Sequence, residues 1–589
     1  MSEEAILKEL SADNVKAHVA HIISEIPSRL AGSENGRRMA EYSRDSLREV
    51  GVEAALHELP GLVSYPHEAE LRILAPVEMA IQANTLGHSL ETLADGISGD
   101  LVYVASGGFA DYEGKDVVGK ITLSELSYSP ARHEKQRIAG LKGSTGAVMM
   151  NWGHAENEAV PFGSVKPVWG NPTRKNYASE MVTIPCIGIA RTAGLKLKEM
   201  CESGQPVRVW FRTHVENGWR PVQITVGEVP SAMSEDFVVV GGHQDSWYGE
   251  ASTDNAAGNA CFIELARVFN MHREELRRGL VFGFWTGHET GTMIGSSWFV
   301  DRNWDRLRKH MCAYFQIDQP ALTGTTRWGT SSNAELKRFH QTIEARLLPN
   351  RQHYWRRATK NGDASFFGLG VPMLHGEGSF TEEELKETAL ANLGWWHHSL
   401  ECTMDKLDWN WMADHLQVYG AYLWELCTAP VLPFEFMSVA EQFVDRLEEL
   451  AAPGKAVGLD GVVDRARSLG ETAARFDEIA ESWRERYRSG QAGDDGKADV
   501  LNECMKRVSR LLVPIQSTAI GTYGHDPYGL TRQTTMIPAL YDLPELGRMA
   551  EDNADSWMLQ TELVRERNRV GDALADANWL LEETLAKLA

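Results

Sequence analysis

Five short segments carry side chains able to bind metal ions: Gly241-Gly242-His243-Gln244-Asp245, Ser252-Thr253-Asp254-Asn255, Gly287-His288-Glu289-Thr290-Gly291, Phe315-Gln316-Ile317-Asp318 and Trp396-His397-His398-Ser399. Imidazole and carboxylate without thiolate is the ligand chemistry of a catalytic zinc site. One carboxylate bridging two ions about 3.5–4 Å apart makes a co-catalytic pair, which ionises water near neutral pH.

In this order the segments resemble one family, the zinc aminopeptidases that also include glutamate carboxypeptidase and the transferrin receptor. Singly, each His or Asp reads more simply as a loop cap or a structural hydrogen-bonding group. Five in the family's order favour ligands. The resemblance implies zinc, as two ions: His243, Asp254 and Asp318 around one, and Asp254, Glu289 and His398 around the other. Asp245 would orient the His243 imidazole. The family's final ligand motif is matched by His398-Ser399-Leu400-Glu401-Cys402-Thr403, with Cys402 where an Asp or Glu is usual.

The main departure is His288, which stands where the family has the first of two adjacent glutamates, a general base followed by a ligand. Keeping the Glu-x-Gly spacing of Glu289-Thr290-Gly291 makes His288 the base and Glu289 the ligand. A gapless alignment makes Glu289 the base and puts Thr290 in the ligand position. Imidazole, with an ordinary pKa of about 6.5, accepts a proton from water near working pH. The alternatives are a metal-binding His288, a single ion, or iron or manganese in place of zinc, and with them cleavage of a non-peptide C–N bond. His397 is read as a pocket-edge or core histidine with ligand as its alternative, and His353, His375 and His415 as structural. Trp247, Tyr248, Trp395 and Trp396 read equally as pocket lining or core. Arg356, Arg357 and Lys360 read as a solvated cluster rather than a receptor for a substrate carboxylate.

The elements around these segments define how they are positioned. Phe237 to His243 is a continuous apolar run, a helical pattern follows from Ala256 to about His272, and Gly279 to Trp285 is apolar again. Strand, helix, strand is a βαβ unit in a sheet covered on both faces, and such sheets bind ligands at the strand ends. Residues 11 to 50 read as helix, turn, helix, broken at Ser28 to Ser33. Short β-type runs separated by glycine-rich turns fill about 63 to 225, and a helical composition follows 431, with a Gly/Asp-rich linker from Ser489 to Lys497. The expected architecture is an α/β catalytic domain from 1–62 and 226–430, with a mixed, mostly parallel sheet between helices, interrupted by a β-rich insert, 63–225, and followed by a helical domain, 431–589. The insert resembles a protease-associated domain at Asp116 to Ile121 and Thr183 to Ile189. The tail resembles the helical dimerisation domain of the carboxypeptidase and receptor branch, which implies a homodimer.

Acidic residues outnumber basic ones, 82 to 59, for a formal charge of −23 that disfavours nucleic acid and anionic membrane surfaces as partners. Neither an export signal nor a membrane-spanning apolar run is visible. The seven cysteines are scattered without short paired spacings, which fits reduced thiols in a cytoplasmic protein. The expected activity is metal-dependent hydrolysis of a peptide or small amide by an aminopeptidase- or carboxypeptidase-type enzyme. The competing readings are a C–N lyase or hydrolase on the same scaffold and a non-catalytic, receptor-like interaction protein.

Overall fold

The computed structural model describes residues 3–491, 493–550 and 553–589, so residues 1–2 of the N-terminus and residue 492 of the expected linker lie outside the described residues. Two N-terminal helices, Ala12–Glu25 and Glu34–Glu49, are each capped by a serine hydroxyl, of Ser11 and Ser33, that accepts a backbone N–H of the first turn. They lead into strand β1 (Glu53–Pro66). Seven strands follow, β2 (Glu68–Ala75), β3 (Met79–Thr85), β4 (Ile97–Tyr103), β5 (Ile121–Glu125), β6 (Gly146–Met150), β7 (Cys186–Ile189) and β8 (Arg208–Arg212), and close into a barrel in the order β2-β3-β7-β6-β5-β4-β8.

Strand β9 (Val215–Val229) returns antiparallel along β1, from Pro66 opposite Val215 to Glu53 opposite Glu228. The expected insert, 63–225, therefore overruns the barrel at both ends: 63–66 and 215–225 belong to the large sheet. Strand texture is continuous from ribbon to barrel, so composition does not mark the boundary.

Strands β10 (Phe237–His243), β11 (Gly279–Trp285), β12 (Met311–Gln316), β13 (Arg327–Ser332), β14 (His353–Arg357) and β15 (Met373–Ser379) complete an eight-stranded sheet, ordered β1-β9-β11-β10-β12-β15-β13-β14. The pairs β10–β11, β10–β12, β12–β15 and β13–β14 are parallel, and β1–β9, β9–β11 and β13–β15 antiparallel. The sheet is mixed and mostly parallel, as expected.

The central strands are buried along their whole length because both faces are covered. Val238 and Val240 of β10 enter one apolar cluster with Phe262 of the helix Ala257–Met271, whereas Phe237 and Val239 face the other with Ile294 and Phe299. The first cluster runs on into the C-terminal helices Met437–Glu449, Asp460–Arg488, Asp495–Ser517 and Ala554–Leu588. No helix among the described residues is long and apolar enough to cross a membrane.

Candidate metal centre

Strand β10 ends on His243, fully buried, and the preceding Gly242 lies so close to β12 that a Cβ there would collide with the Ile317 carbonyl. This close approach brings the ends of β10 and β12 together, and with them His243 and Asp318. Asp254 sits in the turn Ser252–Ala256 that opens the helix Ala257–Met271. Asn255 fixes that turn: its amide donates to the Ile317 carbonyl at 3.1 Å, and its side-chain oxygen accepts the N–H of Gly258 at 3.0 Å. A side chain at position 258 would strike Asn255, which accounts for the spacing of Asp254, Asn255 and Gly258.

The candidate ligand atoms meet in two groups. His243 Nε2 lies 3.1 Å from Asp254 Oδ1 and 3.5 Å from Asp318 Oδ1. His398 Nε2 lies 3.2 Å from Asp254 Oδ2 and 3.0 Å from Glu289 Oε1. Asp254 thus presents one oxygen to each group. His243 Nε2, Glu289 Oε1 and Asp318 Oδ1 are buried with no hydrogen-bond partner. Buried polar atoms left this way are costly unless something else satisfies them. Their convergence, with nitrogen and oxygen donors only, fits divalent metal.

The charges of the site bear directly on one another. Burial opposes a charge on His243, but Asp318 and Asp254 hold its pKa well above the ordinary imidazole value. Burial likewise opposes charge on Asp254, yet the imidazoles of His243, His397 and His398 beside it hold its pKa far below the usual carboxylate value. His398 is raised, with Glu289 outweighing burial and Arg132.

The structure backs the two imidazoles differently. His243 Nδ1 contacts the backbone carbonyl of Asp245 at 2.8 Å, while the Asp245 carboxylate stands 3.9 Å off. That carboxylate instead accepts the backbone N–H of His288 and of Glu289, both at 3.2 Å, and holds their loop to the strand end; burial pushes Asp245 up to about 6. His398 Nδ1 faces the guanidinium of Arg132, 3.1 Å away, on the barrel insert. His398 itself has a φ of 58°, a conformation unfavourable for a side-chain-bearing residue. His397 stacks on it, ring centroids 3.7 Å apart, with Nδ1 3.3 Å from Asp254 Oδ2. His397 is therefore within the site, at ligand distance, rather than at its edge.

Glu289 stands against His398 and accepts the indole N–H of Trp247 at 2.8 Å. His288 stacks on His243, centroids 4.0 Å apart, and its Nδ1 contacts Asp363 Oδ2 at 3.0 Å. Burial and His243 oppose a proton on His288, but Asp363 and Glu289 prevail and raise it to about 9. The loop carrying His288 and Glu289 is also clasped from the insert. His88 Nε2 contacts the Thr290 carbonyl at 2.9 Å, and the buried Lys166 ammonium donates to the Gly291 carbonyl at 2.6 Å.

A cavity of about 360 Å³ opens over these groups, with walls from the insert (Arg132, Ser164), the segment 356–362 and Tyr528 of the C-terminal region. Arg356 and Arg357 line it: Arg356, half exposed, pairs with Glu377 at 2.8 Å, and Arg357, half-buried, donates to the carbonyls of Ala358 and Thr534. Lys360 is buried over the Trp169 ring. Arg132, His88, Lys166 and Tyr528 carry no local motif, and reach the site only through the packing of insert and tail onto the sheet.

Residues 225–423, which include every candidate ligand, match the model of peptidase family M28. The chain is 24% identical to carboxypeptidase Q of Xenopus laevis over 294 residues, 48% of this chain and 60% of that protein. It is 26% identical to a probable glutamate carboxypeptidase of Zea mays, over 38% of this chain and 33% of the other. The chain thus spans 60% or less of the length of these curated relatives. In fold it resembles the Peptidase M28 precursor from Shewanella amazonensis (TM-score 0.59, 18% identity, 73% of this chain and 97% of that one). It also resembles the aminopeptidase from Aneurinibacillus sp. strain AM-1 (TM-score 0.54, 18% identity, 72% and 96%). Through the α/β domain that holds these ligands, the chain is similar to peptidase family M28.

Proposed function

We propose that the protein is a metal-dependent exopeptidase in which His243, Asp254 and Asp318 hold one zinc ion and Asp254, Glu289 and His398 the other. The observation that carries this reading is the set of buried, unpartnered ligand atoms converging on the two oxygens of Asp254. When bound, the metal pair supplies Lewis acidity for the scissile carbonyl and for ionisation of water. His288 is the base that takes the proton from the attacking water and returns it to the leaving amine. Asp245 holds the backbone of His288 and Glu289, and the walled cavity admits a chain end rather than a continuous strand. The barrel's sequence likeness to a protease-associated domain fits the same reading. The chain's seven unpaired cysteines support a reducing, cytoplasmic setting, and the helical tail supports homodimerisation, which light scattering at micromolar concentration tests.

The decisive experiment pairs elemental mass spectrometry of purified protein with turnover of amino-acyl anilides and of N-blocked dipeptides. Two zinc ions per chain, and turnover abolished by chelator and restored by zinc, are expected. Turnover of the anilides marks an aminopeptidase, and of the blocked dipeptides a carboxypeptidase. Metal-loaded protein inert on both panels would overturn the reading. That result would favour a non-peptide C–N substrate, to which the replacement of glutamate by His288 points.

A further inference from the structure

His288 is set into a line of hydrogen bonds that the peptidase reading does not use. Asp363 is fully buried, and its two oxygens are divided: Oδ2 lies 3.0 Å from His288 Nδ1, and Oδ1 accepts the Ser296 hydroxyl at 2.8 Å. Ser296 contacts Ser365 at 2.9 Å, and Ser365 accepts the indole N–H of Trp169, from the insert, at 2.8 Å. Asp363, Ser296, Ser365 and Trp169 are all buried, so the carboxylate has little freedom to turn.

An ionised carboxylate only accepts, so in neutral imidazole the proton must sit on Nδ1, the nitrogen that faces it. Nε2 is then left with the free lone pair. The cavity is lined by His288, while Asp363 is wholly enclosed. We propose that Asp363 is the positioning residue that fixes the tautomer and ring orientation of His288, so that Nε2 rather than Nδ1 takes the proton from water. This rests on the reading of His288 as the base. In the step itself the O–H bond of water breaks, the proton passes to Nε2, and the oxygen keeps the electron pair for the carbonyl carbon. Asp363 neither gains nor loses a proton. Where a glutamate stands at position 288, such a buried carboxylate has no Nδ1–H to accept and faces a like charge instead, so His288 and Asp363 form a matched pair.

The test is a double-variant cycle with Asp363→Asn, His288→Glu and the combination. An amide can turn either its oxygen or its nitrogen to Nδ1, so Asp363→Asn unlocks the tautomer. A fall of about 10²-fold in kcat is expected, with KM changed less than about threefold. In the His288→Glu background the same change removes a like charge and should raise kcat. A residue that merely supports the fold would lower activity in both backgrounds. Metal content per chain and the metal Kd from chelator competition are expected to match wild type in Asp363→Asn, with the far-UV spectrum unaltered. Loss of metal, or a fall in kcat in both backgrounds, would overturn the proposal. If His288→Gln lowers kcat at least 10²-fold while Asp363→Asn leaves it intact, Asp363 has no positioning role although His288 remains the base. If His288→Gln itself keeps wild-type kcat, the base assignment fails, and the positioning role with it.

Discussion

The two halves of the metal centre are built on different footings. The His243 half stands on the ends of β10 and β12, and its imidazole rests with Nδ1 against a peptide carbonyl. The His398 half hangs on loops: His398 is held at positive φ, Glu289 is braced by Trp247, and a guanidinium faces the remaining imidazole nitrogen. A carbonyl behind a ligating imidazole makes it a better donor, whereas a cation there makes it a poorer one. If each half holds an ion as proposed, the first half is expected to be the tighter site and the second the labile one.

Asp254→Asn is the most damaging test, because it weakens both halves together. We expect kcat to fall by more than about 10³-fold and both ions to be lost, read by activity and by metal content. His243→Ala and His398→Ala separate the halves. Each should cost about 10²–10³-fold in kcat, with His398→Ala keeping close to one ion and His243→Ala keeping less, because what remains to it is the weaker half. Equal retention by the two variants would erase the distinction. Trp247→Phe removes only the donor that braces Glu289, and should weaken the second ion about 10–100-fold in chelator competition while the first is unmoved. Arg132→Met is expected to act in the opposite direction. It removes the guanidinium and should tighten the second ion several-fold, on the order of 1 kcal/mol, narrowing the gap between the two dissociation constants.

How far the sequence reached follows the same division. The strand ends were legible because a buried parallel strand must be continuously apolar, and a βαβ pattern puts polar residues where those runs stop. The positions of His243 and Asp318 thus follow from local pattern, whereas the role of Asp254, on the loop before the helix, came from the resemblance. Glu289 and His398 needed a resemblance, because they lie on loops that no periodicity marks, and His397 beside them could not be told from a core residue. Arg132, His88, Lys166 and Tyr528 were beyond reach. Each lies at least 77 residues from the nearest candidate ligand, and only three-dimensional packing brings it in. The burial of Lys360 was missed for a related reason: charge in a sequence ordinarily signals solvent, and only the C-terminal segment covering this loop makes it a wall.

Asp254 also acts as a beam balanced on one pivot. Its oxygens face opposite ways, and the turn that bears it is pinned through Asn255 to the backbone of Ile317 and Gly258. A small tilt that draws Oδ1 toward His243 must draw Oδ2 away from His398, so a distortion arriving at either side is passed to the other with reversed sign. Mutations near one end of the cavity, including those that only shift a loop, should therefore be felt at the far end through this one side chain.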